Sequence, residues 1–301
     1  MSRISTGNIA KALVPGVDAF AGLSYKEFPD KAASLFRTKK TIRNFEEQVY
    51  MIGTGLATVK SMGTSIDLDD ATQHFVTQYR MKTYALGMRI NFEAIDDNLY
   101  KDQISFGGKM LGRSYRETEQ VVAHNILNNA FDSAYVYGDG KELVATDHPF
   151  KSGGTWSNEL ATPANLSQAA IQDLLIQIND LEDDKGKKLM LKAMQIHVPT
   201  AYQFAIAEIL NSTFRSDTAE NATNVLKGIF PKGYEVHEYF TSTTAWFITT
   251  NAENGLIHFE REAPRVDADN DFLTKDLLFS ICGRYAYGAT DPRAVFGTAG
   301  V

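Results

Sequence analysis

The residues with the clearest chemical potential lie between positions 138 and 149. Asp147 and His148 are adjacent and have the side chains of an acid–base pair. Hydrolysis by such a pair needs a nucleophile, and the sequence has no GxSxG motif to present a serine at a strand-to-helix turn. Adjacent residues of an extended chain also point to opposite faces. We therefore predict no catalytic residue here and keep a soluble hydrolase that uses His148 only as an alternative.

Two other stretches match ion-binding or phosphate-binding motifs only in part. Gly138–Lys141 (GDGK) lacks the GxxxxGK[ST] spacing of a phosphate-binding loop and has no apolar strand before it. We interpret it as a tight turn. Asp267–Asp271 (DADND) lacks the glycine and the terminal glutamate of a calcium loop. We interpret it as a solvated turn and leave adventitious cation binding open.

The histidines and the single cysteine form no metal-binding motif in the sequence. No two histidines have HxH or HxxxH spacing, and Cys282 stands alone before Gly283. A metal site would need residues that are far apart in the chain, so we predict no metal ligand and no cofactor-binding residue. Cys282 is interpreted as a buried structural thiol. The histidines are His74, His124, His148, His197, His237 and His258.

The composition limits the class of protein. Of 301 residues, 44% are hydrophobic and 22% are charged, which predicts a folded chain with a buried core. The net charge of −7 argues against a nucleic-acid-binding protein, which normally has a basic surface. A single cysteine allows no internal disulfide, and no apolar run reaches the roughly 18 residues of a membrane span. We expect a protein that is soluble and cytoplasmic when made.

The longest predicted element runs from Asn91 to Ala130 and contains no proline. We interpret it as one long helix, because its apolar residues follow helical spacing in two stripes. Gly107, Gly108 and Gly112 indicate either a bend or the close approach of another backbone. A pair of helices split at Phe106–Gly108 is the alternative. The stripes are Ile95, Leu99, Phe106 and Met110, then Leu111, Tyr115, Val122 and Ile126.

Two segments before this helix lack a core of their own. The first is an arm that we expect to pack on another surface. The second, residues 42–90, is predicted to be a long hairpin with strands at Val49–Lys60 and Phe75–Ile90. The segment between the strands, Gly63–His74, is expected to be a polar tip that contains the acidic run Asp67–Asp70. A shift of alternation within the second strand predicts a β-bulge. Because an isolated hairpin is marginally stable in water, it needs a partner surface.

The remainder mixes helices and strands without a βαβ repeat, which predicts an α+β fold. Ser167–Glu182 is predicted to be an amphipathic helix with Ser167 as its N-cap. Strands are expected at Ala193–Val198, Ala245–Thr250 and Leu277–Tyr287. Asp291 is expected to begin a short tail.

Several loose motifs resemble those of a known family in their order and spacing. They are Leu143–Pro149 (LVATDHP), Gly153–Asn158 (GGTWSN), a helix from Leu166 to Asp184–Lys187 (DKGK), Ile196–Pro199 (IHVP) continuing to Leu210, Asn224–Gly228 (NVLKG) and Ala245–Phe247 (AWF). Over most of the chain the sequence resembles the major capsid proteins of tailed phages, in particular the Mu-like major head subunit family.

That resemblance implies the Hong Kong-type capsid fold, which herpesvirus capsid floors and bacterial encapsulins share. The implied parts are an N-terminal arm (1–41), an E-loop hairpin (42–90), a spine helix with the peripheral P-domain (91–192), an axial A-domain (193–251) and C-terminal P-domain strands (252–301).

The resemblance also implies a structural protein and not an enzyme. Many copies would form the pentamers and hexamers of an icosahedral virion head that encloses double-stranded DNA without sequence-specific binding, after assembly in the host cytoplasm. Separate scaffolding, portal and decoration proteins are the partners it suggests, with no membrane. An encapsulin-like compartment shell is the alternative within the fold, and the hydrolase is the alternative from another class.

Overall fold

The structure, a computed structural model, contains both helices and sheets, as the α+β prediction requires. It describes residues 21–22, 24–91, 93, 100–213, 223–271, 273–274 and 276–301. Contacts divide the chain into two compact units. The first combines the chain up to Glu46 with Arg80–Ala123 and His258–Tyr287, and the second combines Glu47–Tyr79, His124–Ile257 and Gly288–Val301. Within the described part of the chain, no helix has the length and apolar character needed to cross a bilayer.

The elements are numbered along the chain. The helices are α1 (Ala32–Leu35), α2 (Tyr100–Asn128), α3 (Gln168–Asp180) and α4 (Gln203–Asn211), with 3-10 turns at Thr200–Tyr202 and Pro292–Ala294. The strands are β1 (Arg37–Lys40), β2 (Phe45–Ile52), β3 (Thr72–Arg80), β4 (Lys82–Ile90), β5 (His148–Pro149), β6 (Thr155–Trp156), β7 (Ala193–Pro199), β8 (Tyr234–His237), β9 (Trp246–Thr250), β10 (Leu256–Asn270), β11 (Leu277–Ala289) and β12 (Val295–Thr298).

The first unit is built on a four-stranded sheet in the order β1-β10-β11-β4. Strands β11 and β4 are antiparallel, with Leu277 opposite Ile90 and Tyr285 opposite Lys82. The inward residues of β11 alternate along the strand, as expected of a sheet with one covered face. Helix α2 supplies that cover, because its Leu111 and Tyr115 pack in one buried cluster with residues of β11.

The long helix is continuous from Tyr100 to Asn128, so the alternative of two helices split at Phe106–Gly108 is wrong. A Cβ atom at Gly112 would lie 2.3 Å from the backbone oxygen of Ala21, which confirms the close approach of another backbone there. Met110 is 51% exposed, so the first apolar stripe is wrong at that residue. The side chains of Ile95, Leu99 and Phe106 lie outside the described residues, and a bend at the glycines stays a prediction.

Part of the N-terminal arm packs on the long helix of its own chain through a polar network. Arg116 forms ion pairs with Asp30 at 2.7 Å and with Glu119 at 3.0 Å. The Tyr25 hydroxyl donates to Glu119 at 2.7 Å, and the Gln120 side chain accepts from the backbone at α1 and donates to Asp30. The expectation that the arm needs another surface is therefore met within the subunit for this segment.

The hairpin prediction needs correction at both strands. Strand β2 covers Phe45–Ile52 and not Val49–Lys60, since the chain leaves the extended pairing at Gly53. Phe75–Ile90 is two strands that meet at Met81: β3 pairs with β2, whereas β4 pairs with β11 in the first unit. The shift of alternation therefore marks a change of sheet and not a β-bulge.

The second unit is built on a four-stranded sheet in the order β12-β9-β7-β8. β7 runs parallel to β8 and antiparallel to β9. Helix α3 packs on it with Ile171, Leu174 and Ile178, and Ser167 caps the helix by accepting from the Ala170 amide, as predicted. The expected C-terminal tail is wrong, because β12 is a fully buried strand that pairs with β9.

Candidate functional site

The connection between β2 and β3, residues 53–71, is a long exposed loop that we term the hairpin tip. Large apolar side chains in it are 70% to 104% exposed, which corrects the expectation of a polar tip. Soluble monomers rarely leave so many large apolar groups together in water, and such patches mark interaction surfaces. The exposed apolar residues are Leu56, Val59, Met62, Ile66 and Leu68.

The acidic run gives the hairpin tip its internal order. Both carboxylate oxygens of Asp69 accept from Lys185 Nζ, at 2.6 and 2.7 Å, and one of them also accepts from the Gly55 amide at 2.7 Å. The hydrogen bond from Lys185 is the main cause that lowers the pKa of Asp69. Lys187 Nζ donates to the Thr54 backbone oxygen at 2.9 Å. Two lysines thus hold the tip to the loop that follows α3.

His148 lies in a buried polar cluster at the start of β5. Its Nδ1 is 2.6 Å from Asp139 Oδ2, its Nε2 is 3.0 Å from Asn158 Oδ1, and its ring stacks on Trp156. The Asn158 amide donates to the backbone oxygens of residues 143, 292 and 295, so its orientation is fixed and its oxygen accepts from His148.

This arrangement leaves His148 without the geometry of a general base. The side chain is fully buried, and both ring nitrogens are already bonded. A catalytic base needs a lone pair within hydrogen-bond reach of the proton that it removes. The adjacent Asp147 pairs with Lys141 and not with His148. The cluster joins residues 138–158 to the backbone of residues 292 and 295, near the C-terminus.

The partial motifs also have structural explanations. Gly138–Lys141 is a turn in which the Gly140 amide donates to the Tyr137 oxygen and Gly140 has a φ of +80°, as predicted. The solvated turn predicted at Asp267–Asp271 is wrong, because Asp267–Asn270 belongs to β10. Cys282 lies on β11 and is half-buried, not buried as predicted.

Arg293 is a functional candidate that the sequence analysis missed. Its guanidinium lies 3.6 Å from the Asp184 carboxylate, and the two side chains are 4% and 3% exposed. The group also lies over the rings of Tyr50 on β2 and Trp156 on β6, 5.0 and 5.1 Å from their centroids. Burial lowers the pKa of Arg293 to about 10. The buried guanidinium of Arg293 therefore links Tyr50 on β2 to Asp184 and Trp156 within the second unit.

The fold brings together three histidines that are distant in the sequence. His237 Nδ1 lies 2.8 Å from His124 Nε2, and His237 Nε2 lies 2.9 Å from His197 Nδ1. All three side chains are fully buried. Burial lowers the pKa of His197 to about 3, so this ring is neutral at neutral pH. One sequence feature could have indicated a polar cluster here. Glu235 and His237 are two residues apart on β8, and this spacing places both side chains on one face of the strand.

Comparison with known proteins decides the family. A model of the family described as "Phage capsid protein" matches residues 75–297, which is most of the chain. The chain belongs to the phage capsid protein family. The predicted kinship with tailed-phage capsid proteins is confirmed, whereas the finer assignment to the Mu-like subfamily stays a prediction. No curated protein matches the sequence.

Solved capsid structures share the fold of this capsid protein at low sequence identity. The mature capsid of bacteriophage PhiM1 matches with a TM-score of 0.58 and 14% identity over 90% of this chain and 86% of that chain. A virus-like particle from Pyrococcus furiosus matches with 0.57 and 9%, over 94% and 97%. The capsid of an empty GTA particle matches with 0.51 and 13%, over 90% of both chains. The Hong Kong-type fold is thereby confirmed.

Proposed function

We propose that this capsid protein is the major shell subunit of a tailed phage. Copies associate as pentamers and hexamers into an icosahedral head that encloses double-stranded DNA, after assembly in the host cytoplasm. The observation that carries the proposal is the hairpin tip, whose apolar side chains are exposed in the subunit and need a covering surface. A second copy of the chain is the proposed partner, and the chain needs no catalytic residue for this role.

We further propose the five-part division of the chain as the plan of the subunit. In the described part of the arm (1–41), Asp30 and the Ala32 amide contact the spine helix, and the E-loop segment (42–90) contains β2, β3, β4 and the hairpin tip. The C-terminal segment (252–301) supplies β10 and β11 to the sheet of the first unit and β12 to the sheet of the second unit, and the spine and P-domain segment (91–192) contains α2 and α3. The A-domain (193–251) contains the sheet core of β7, β8 and β9. Contacts of the arm with Arg116 and Gln120 support its part of this plan.

Substitutions of the exposed apolar residues in the hairpin tip test the proposed assembly. The triple variant Leu56→Ser, Val59→Ser, Met62→Ser should fold normally, because these side chains are exposed in the subunit. Negative-stain electron microscopy should show closed particles for the wild type and only small species for the variant. Leu273→Ser removes an exposed leucine from a turn in the first unit and serves as the matched control. Normal particles from the triple variant would contradict the role of the tip.

The contents of native particles distinguish a phage head from the encapsulin-like alternative. The shared fold with a virus-like particle supports a shell in either case, and the family match favours the phage head. Nuclease-resistant DNA inside purified particles is the expected result. Particles filled with protein cargo and free of DNA would favour the compartment. Hydrolase activity that His148→Ala abolishes without a change in assembly would contradict the structural role.

A further inference from the structure

A group of potential metal ligands lies at the edge of the sheet in the second unit. β8 is the edge strand and runs parallel to β7, with His197 directly opposite Glu235. Glu235 and His237 share one face of β8 because side chains alternate along a strand. One ligand atom from each of His197, Glu235 and His237 lies within 4.8 Å of the other two. We propose that these three residues bind a zinc-class divalent metal ion.

The ligand types suit such an ion. Two imidazoles and one carboxylate, with a fourth position left to water, form an established coordination set for Zn²⁺. Zn–N bonds of about 2.0–2.1 Å place two ligand nitrogens roughly 3.3 Å apart in a tetrahedral site. His197 Nδ1 and His237 Nε2 are 2.9 Å apart, so a small opening of the pair accommodates the ion. Glu235 is only half-buried and gives access from solvent.

Each proposed ligand has a second partner that orients it. The Thr249 hydroxyl donates to the Gln195 backbone oxygen, so it accepts from His197 Nε2 at 3.1 Å. That bond leaves His197 Nδ1 unprotonated, with its lone pair toward His237. Gln195 Nε2 donates to Glu235 Oε2 at 3.3 Å. Such outer partners are typical of metal sites, where they fix the tautomer and the ring orientation.

His237 completes the set through its contact with His124. The ion would take the position of the proton between His237 and His197. That proton would move to His237 Nδ1, and His124 would accept it through Nε2, 2.8 Å away, with its own proton on Nδ1. The bound ion would link β7 to the edge strand β8 and stabilise the second unit.

Glu235→Gln is the most informative variant. A glutamine keeps the size of the side chain and still accepts from Gln195, but it removes the anionic ligand. Glu253→Gln changes an exposed carboxylate of the same unit and is the matched control. The full-length chain is stripped with EDTA, dialysed against Zn²⁺, and measured for zinc content and melting temperature. Co²⁺ provides a second probe, because tetrahedral coordination gives it a characteristic visible absorption.

We expect one zinc ion per chain for the wild type and for Glu253→Gln, with a rise in melting temperature of about 5 °C at a hundredfold excess over Kd. Glu235→Gln should bind at least tenfold more weakly, with a correspondingly smaller shift and no tetrahedral Co²⁺ spectrum. No zinc retained by the wild type would overturn the inference, as would equal binding by Glu235→Gln. The zinc content and the melting temperatures test the metal site separately from the proposed shell assembly, because all variants are measured in the same assembly state.

Discussion

Asp69 in the hairpin tip is bonded through both carboxylate oxygens to Lys185, which lies 116 residues later in the chain. The same carboxylate accepts from the Gly55 amide on the opposite side of the tip. One acidic residue therefore sets both the internal form of the tip and its position on the second unit. In the proposed assembly the tip contacts a second copy of the chain, so the bond to Lys185 would limit how freely the tip reaches that copy.

Asp69→Ala should release the tip with little effect on global stability. An exposed ion pair contributes little to the free energy of unfolding, so the melting temperature should change by less than roughly 2 °C. Trypsin cleavage after the exposed Lys60 should become several-fold faster, because the tip loses its bond to Lys185. Asp70→Ala is the control, since that side chain makes no bond to Lys185. Equal cleavage rates for the two variants would show that the tether does not restrain the tip.

Gly112→Ala should destabilise the first unit despite the better helix propensity of alanine. The new Cβ would lie 2.3 Å from the backbone oxygen of Ala21. Because the contact is with backbone atoms, no flexible side chain can move aside to relieve it. Such overpacking costs about 1–3 kcal/mol, more than the roughly 1 kcal/mol gained in helix propensity. Urea denaturation of the unassembled subunit measures the difference.

Gly107→Ala is the matched control for that substitution. There the nearest atom to a new Cβ is the sulfur of Met88, 2.6 Å away at the flexible end of a side chain. Met88 can move aside, so we expect this variant to equal or exceed the wild type in free energy of unfolding. A Gly112→Ala subunit as stable as Gly107→Ala would contradict the close packing of the arm on the helix.

Asp291 gives the second unit a defined dependence on pH. Burial raises the pKa of Asp291 from 3.8 to about 7, so the folded state binds a proton more tightly than the unfolded state does. Its contribution to stability is therefore complete below pH 4 and is lost as the pH rises through 7, at up to about 1.4 kcal/mol per pH unit. Asp291→Asn removes this loss and still accepts from the Arg293 amide.

Denaturation at pH 5 and at pH 8 measures this contribution. The wild type should lose more stability than Asp291→Asn between the two values, and the variant should be the more stable protein at pH 8. Asp173→Asn, which changes a carboxylate on α3, is the control and should follow the wild type. The same loss in the wild type and in Asp291→Asn would contradict a raised pKa at Asp291.

Local patterns predicted helix α3 and most of strand β11, because the causes of these two elements are local. The Ser167 cap and the apolar spacing of α3 are properties of a few neighbouring residues, and both are confirmed. Alternation along one strand also predicted the start of β11 at Leu277, whereas the strand continues two residues past the predicted end at Tyr287, to Ala289. The division of Phe75–Ile90 between two sheets was missed, because pairing with β11 depends on residues almost 200 positions later.

The buried polar clusters were missed for a related reason. Arg293 and Asp184 are far apart in the chain, and neither has a sequence context that distinguishes a buried charge from an exposed one. The three histidines share no motif, and only the parallel register of β7 and β8 brings His197 beside Glu235. The sequence predicts a tail where β12 lies, because the four residues of this strand are too few to show a period.

Arg293→Met should destabilise the second unit strongly, because it leaves the buried Asp184 carboxylate without its cation. Loss of one partner of a buried ion pair costs about 3–5 kcal/mol. Arg293→Lys should recover only part of this stability, since a lysine lacks the planar group that lies over Tyr50 and Trp156.

The double variant Arg293→Met, Asp184→Asn separates the charge effect from packing. Removal of both charges should restore about half or more of the lost free energy, measured by urea denaturation of the four proteins in a double-mutant cycle. Asp184 also accepts from the Lys151 amide, and asparagine retains that acceptor. If the single and double variants were equally unstable, packing on the two rings and not the ion pair would be the main contribution of Arg293.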